Sequence, residues 1–130
     1  MTGATRPVAV VTGGSRGIGA ACARAFARSG HDVLITYANR PEAAEDVLAD
    51  CRRHDVAASA VRADFGDPGA ATAGLFTALD ERHGRLDVLV NCAGVLPPPA
   101  LTRDLHADRV LHTLAVNAAG PALCAAAAVR

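Results

Sequence analysis

The chain has 130 residues, and its 13 basic residues, all arginine, balance 13 acidic ones to a formal net charge of zero. That is the length of one domain, and a neutral chain without a basic cluster is a poor partner for nucleic acid. Met1 to Val11 has no basic-then-apolar pattern of a signal peptide, and the longest apolar stretch, Ala122 to Val129, is too short for a bilayer, so no membrane is expected. Hydrophobic residues make up 51% of the chain, but 30 of them are alanine, and aromatic residues make up only 3%. The core must therefore use closely approaching helices with alanine faces over short Val/Leu strands. Cys22, Cys51, Cys92 and Cys124 form no CxxC pair, and none lies at metal-ligand spacing from a histidine. They read as free thiols in a reducing compartment, the cytoplasm, with no metal bound.

Val8 to Thr12 is a short, continuous, β-branched run ended by Gly13-Gly14, as in a strand buried on both faces. A helix follows over Ile18 to Ser29, with Ile18, Cys22, Ala25 and Phe26 on one face and Gly30 as its stop. Val33 to Tyr37 is the second strand. Pro41 opens a helix to about His54, with Glu42, Glu45 and Asp46 near its start. Val56 to Val61 is a weaker third strand. Asp67-Pro68 begins a helix that runs to His83 and stops at Gly84. Leu86 to Val90 is the fourth strand. A proline-rich loop, Leu96 to Ala100, leads to a last helix from Thr102 or Asp104 to the end of the chain. Strands alternating with helices predict an α/β fold with a parallel sheet and helices on both faces. The five histidines, including His106 and His112 on the last helix, read as surface or capping residues.

Thr12-Gly13-Gly14-Ser15-Arg16-Gly17-Ile18-Gly19 lies between the first strand and the first helix. A phosphate needs bare backbone N–H groups and a helix N-terminus aimed at it. Gly13 suits the tight turn, Gly17 the close approach and Gly19 the packing of helix on strand. The spacing GxxxGxG lacks a GK[ST] and is not a P-loop. A glycine-rich turn without a ligand is the alternative, and the strand–turn–helix setting weighs against it. The stretch Thr36 to Arg40 carries no acid to bind a ribose 2′-hydroxyl, while Arg16 and Arg40 suit a 2′-phosphate. Solvated arginines are the alternative for both. Pro121 has no N–H for the carbonyl of Asn117, so a free carbonyl and a kink are expected there. The kink alone, bending the helix around the sheet, is a sufficient reading of that proline.

TGxxxGIG at residues 12 to 19, Asn91-Cys92-Ala93-Gly94 after the fourth strand, Asp64 after the third and Asn117 in the last helix come in the order of the short-chain dehydrogenases/reductases. The chain resembles that family over essentially all its length, with Cys92 a departure from the more usual alanine. The resemblance implies a Rossmann-like doubly wound sheet of order 3-2-1-4 in one domain, residues 1–130. It implies a dinucleotide, NADP(H) rather than NAD(H), as cofactor. Gly13, Ser15, Arg16, Gly17, Ile18, Gly19 and Arg40 would hold its phosphates and ribose. Asp64 and Phe65 would meet the adenine, and Asn91, Ala93 and Gly94 would line the rest. A turn or helix-cap role is the alternative for Asp64.

The resemblance also makes Asn117 a member of the catalytic tetrad, its main-chain carbonyl holding a water of a proton relay. The Ser, Tyr and Lys of that tetrad should follow it. The chain contains no lysine, and its one tyrosine is Tyr37. The expectation is therefore a truncated oxidoreductase, which would act on a small carbonyl or alcohol only when the missing part is supplied. A short non-catalytic dinucleotide-binding module or partner subunit is the alternative. The last helix also offers a face, Leu114, Ala118, Ala122 and Ala125, that resembles the family's subunit-packing helix. Together with a fourth strand left at the sheet edge it leads to the expectation of self-association.

Overall fold

The computed structural model describes residues 5–130; residues 1–4, part of the segment read above as lacking a leader, lie outside the described residues. Strands β1 (Val8–Thr12), β2 (Asp32–Tyr37), β3 (Ala58–Arg62) and β4 (Val88–Asn91) form one sheet in the order β3-β2-β1-β4. All pairs are parallel: Val10 lies opposite Leu34 and Leu89, and Leu34 opposite Ser59. Helices α1 (Gly17–Arg28), α2 (Pro41–Arg52) and α3 (Pro68–Arg82) connect them. This is the Rossmann-like order predicted above.

The strand alternation divides the core between two faces. Val11, Val33 and Ile35 pack with α1 and α2, through Ala20, Ala23, Ala27, Val47 and Leu48. Val8, Val10 and Leu34 face the other way, toward Leu75 and Leu79 of α3. The central strands are therefore apolar at successive positions, with all five residues of β1 buried, whereas the residues of β4 are half-buried or exposed. Pro41 and Pro68 begin α2 and α3 as expected, and the Asp67 carboxylate caps α3 by accepting from the amide of Ala70.

Several boundaries and faces differ from the sequence reading. β3 starts at Ala58 and not Val56, because Val56 is buried against the α1/α2 layer before the ladder begins. β4 spans Val88–Asn91 and not Leu86–Val90. Leu86 turns instead into the α3 layer, and the Asp87 carboxylate accepts from the amide of Val8 at 2.8 Å. On α1 the inward residues are Gly19, Ala20, Ala23 and Ala27, whereas Ile18 is 77% exposed and Ala25 lies outside. The small side chains face the sheet because they allow the closest approach.

Thr102–Asp104 forms only a single 3-10 turn, and the last helix begins at Ala107. It runs as α4 (Ala107–Leu114), a π-helical turn over Ala115–Ala119 and α5 (Gly120–Ala128). In that turn the amide of Gly120 bonds to the carbonyl of Ala115, five residues back. The ladder is thus loosened one residue before Pro121, where the sequence predicts a missing bond.

Read as one rod, Ala107–Ala128 is 22 residues long and, by length and composition, apolar enough to cross a membrane. The apolar stretch is thus longer than the run Ala122–Val129 read from the sequence, because α4, the π turn and α5 continue as one helix through Pro121. The rod is nevertheless docked on the sheet's helical layer: Cys124 is fully buried, its thiol 3.7 Å from the Thr72 hydroxyl of α3. Leu114, Ala118, Ala122 and Ala125 are exposed on its outer face.

Arg85 and Asp87 form a two-pronged ion pair at the entry to β4, with contacts of 2.9 and 2.6 Å. The Arg85 guanidinium and the Val8 amide hold the Asp87 carboxyl below its ordinary range. A depressed carboxyl contributes stability that is present above its unfolded-state pKa and lost as pH falls through the folded value. Asp87→Asn should therefore lower the urea midpoint at neutral pH, and the gap from wild type should close on acidification below about pH 4. A gap independent of pH would show that the charge is not what matters.

Candidate functional site

At the carboxyl end of the sheet, two buried threonines tie the turn after β1 to its neighbours. The Thr12 hydroxyl accepts from the amides of Cys92 and Ala93, both at 3.1 Å, fixing the start of the loop after β4. The Thr36 hydroxyl accepts from the amide of Gly13 at 3.0 Å, and the Thr36 carbonyl accepts from Gly14, also at 3.0 Å. The backbones then come very close. A Cβ on Gly13 would stand 2.8 Å from the Cα of Ala93, one on Gly14 2.6 Å from the Cβ of Ile35, and one on Gly19 2.1 Å from the carbonyl oxygen of Gly13. Gly19 thus packs helix on turn more than helix on strand. Gly14, given no role in the sequence reading, is as crowded as Gly13.

Gly13 and Gly17 adopt φ of +63° and +56°, the left-handed region that favours glycine. Gly13 also lacks space, whereas a Cβ on Gly17 would meet nothing within 4 Å. Gly17 opens α1 toward free space. The first turn of α1 carries no acid, and Arg16 precedes it without capping it. The positive end of that helix dipole is left for an anion.

The turn borders a cleft of about 520 Å³ across the carboxyl ends of the strands. Of the residues singled out in the sequence, Gly13, Ser15, Arg16, Gly17, Ile18 and Gly19 line it from the turn side. Asp64 and Phe65 line it after β3, and Ala93 and Gly94 after β4. Arg40 does not: the wall ends at Asn39, and Arg40 is an exposed residue ahead of α2. Asn91 ends β4 just outside the cleft, its amide 3.4 Å from the Pro121 carbonyl. Phe65 is 4% exposed and packs against Gly120, so its backbone is what it offers. Asp64 accepts from the amide of Gly66 at 2.9 Å through one oxygen, leaving the other uncommitted.

Asn117 is not in the cleft wall. Its side-chain carbonyl accepts from the amide of Val95, and its NH₂ donates to the carbonyl of Val95, both at 2.7 Å. The side chain therefore clamps the loop after β4 to the π turn, and only its main-chain carbonyl remains for other work. Cys92 lines the cleft, and burial together with the nearby Cys22 thiol pushes its pKa up, away from the reactive thiolate. His112, read above as a surface residue, also lines the cleft. Thr36 and His112 are residues that sequence reasoning missed, and Thr12, seen only as the start of the motif, was given no role of its own. Among the described residues no group of three His, Cys, Asp or Glu is placed to hold a metal.

A parallel α/β sheet with a glycine turn and a cleft at its carboxyl edge defines a nucleotide-binding class of fold. The comparisons narrow it. The family model described as short chain dehydrogenase matches residues 7–130, and the chain belongs to that family. It is 37% identical over 123 residues to the uncharacterized oxidoreductase YgfF of Escherichia coli (strain K12), covering 95% of this chain and 49% of that protein. A short chain dehydrogenase from Burkholderia cenocepacia J2315, solved in complex with NADP, superposes with a TM-score of 0.90 at 40% identity, over 97% of this chain and 51% of that one. A blue fluorescent protein from a metagenomic library, in complex with NADPH, gives 0.88 at 33% identity over 96% and 51%. The chain thus spans about half the length of the relatives it matches.

The threonine clamp can be tested without any ligand. Thr12→Val keeps the shape but leaves two amides without an acceptor, which should cost about 1–3 kcal/mol in urea unfolding at an unchanged slope. A loss of a few tenths would mean that the two bonds do not hold the turn.

Proposed function

We propose that the chain is the cofactor-holding half of an NADP(H)-dependent oxidoreductase. The open space at Gly17, in front of an acid-free helix N-terminus, carries the reading, because that cradle fits a pyrophosphate. The amides from Ser15 to Gly19 would face the phosphates, and Arg16 the 2′-phosphate. No acid stands among Thr36, Tyr37, Ala38 and Asn39, the wall where a ribose would lie. Arg40 follows that wall in the chain and, exposed ahead of α2, would reach it through its side chain. The free oxygen of Asp64 and the backbone of Phe65 would meet the adenine, and Ala93 and Gly94 the second ribose, with Asn91 bracing that loop through Pro121.

The cofactor, when bound, supplies hydride transfer to or from a carbonyl or alcohol carbon. These residues would bind and orient it. Asn117 would contribute its main-chain carbonyl to a water, since Pro121 has no N–H to offer that oxygen. With no lysine and only Tyr37, these 130 residues hold no acid–base pair of the kind the resemblance implies. Hydride transfer would need the other half of a longer protein. That half, or a second copy, would cover the free edge of β4 and the exposed row Leu114, Ala118, Ala122 and Ala125. The four free thiols support a reducing compartment such as the cytoplasm.

Titrating NADPH and NADH into the protein tests the reading. NADPH should bind more tightly, and Arg16→Ala should cost about 1.5–3 kcal/mol of its affinity while leaving NADH nearly unchanged. Arg40→Ala should act in the same direction, more weakly. Equal affinities for the two cofactors in wild type would overturn the NADP(H) assignment.

A further inference from the structure

The titratable side chains lining the cleft are Arg16, Tyr37, Asp64, Cys92 and His112. The reading above gives His112 no task, yet its position is built. It stands on α4 one turn before Val116, which lines the same cleft and is buried. The spacing of four puts both on one helix face. That helix lies over the β3–α3 connection at two glycines. A Cβ on Gly120 would be 3.0 Å from the ring of Phe65, and a Cβ on Gly66 would be 3.0 Å from His112 Cε1, 3.2 Å from Nδ1 and 3.0 Å from the bound oxygen of Asp64. A side chain at 66 would press on both the imidazole and the carboxylate, which thus flank the same glycine. His112 is otherwise exposed, and its imidazole lines the cleft.

We propose that His112 is a base-contacting residue, its imidazole stacking on the purine of the dinucleotide while Asp64 meets the edge of the same ring. The inference rests on the dinucleotide reading above and adds to it a residue to which that reading gives no task. A face contact accepts any flat ring and needs no ring nitrogen. Its loss should therefore weaken every ligand that carries the base and no ligand without one.

The test is calorimetric titration with NADPH, adenosine 2′,5′-bisphosphate and nicotinamide mononucleotide. His112→Ala should weaken the first two equally, by about tenfold on the scale of one lost base stack, and leave the mononucleotide unchanged. His112→Phe should restore the loss. In proton spectra of the wild type, the His112 ring signals should move upfield as adenosine 2′,5′-bisphosphate is added, as they do beneath an aromatic face. Wild-type affinity in His112→Ala, or a Phe variant as weak as the Ala variant with an unchanged melting temperature, would overturn the stacking role alone. A wild type that binds none of the three ligands would overturn the dinucleotide reading along with it.

Discussion

The site depends on the hydroxyls of Thr12 and Thr36. Each sits at the carboxyl end of a central strand, is almost fully buried, and uses its oxygen to accept from backbone of a neighbouring segment. Together they pull the turn after β1 against the loop after β4, until Gly13 and Ala93 are in contact that no side chain would permit. The glycines follow from that closeness. Where they touch backbone they are needed for space, and at Gly17, where nothing is near, the left-handed turn frees the helix end. Partly buried amides left without these acceptors would be costly, so the clamp and the glycines stand or fall together.

The alanine-rich composition serves the same closeness. Ala20, Ala23 and Ala27 let α1 lie directly on the sheet, which carries its N-terminus to the mouth of the cleft. On the far side, α5 approaches α3 through Cys124 and Thr72. Few large side chains fill these layers, so stability rests on fit more than on buried bulk. The half-covered β4 and the exposed row along the last helix are where that fit is incomplete.

The fold was legible where burial is two-sided or a residue has a single use. β1 and β2 read as continuous apolar runs because both faces are covered. Pro41 and Pro68 marked helix starts because proline costs nothing in a first turn. The edge strands were shifted by one to two residues, since Val56 is buried and Leu86 partly buried by packing and not by pairing. The inner face of α1 was misread because a pattern based on large residues overlooks alanine. In the site, the glycine turn, Asp64 and the loop after β4 were visible as motifs. Thr36 was not, and Thr12 was visible only as the first letter of a motif, because threonine belongs in strands in any case and its hydrogen bonds do not show in sequence. His112 was missed because an exposed helix position looks like surface until Gly66 is seen beneath it. Pro121 announced a disturbed helix, but that the ladder would bridge it with a π turn depended on α5 being held by α3 and β4.

The central claim, that the clamped turn and the cleft beside it form one dinucleotide site, is tested most directly by backbone amide spectra recorded while NADP⁺ is added. The amides of Ser15, Gly17, Ile18 and Gly19 should shift most, together with those of Phe65 and Gly94 across the cleft, while the α2–β3 connection on the opposite edge of the sheet stays still. Saturable binding that leaves the turn amides unmoved would contradict the account.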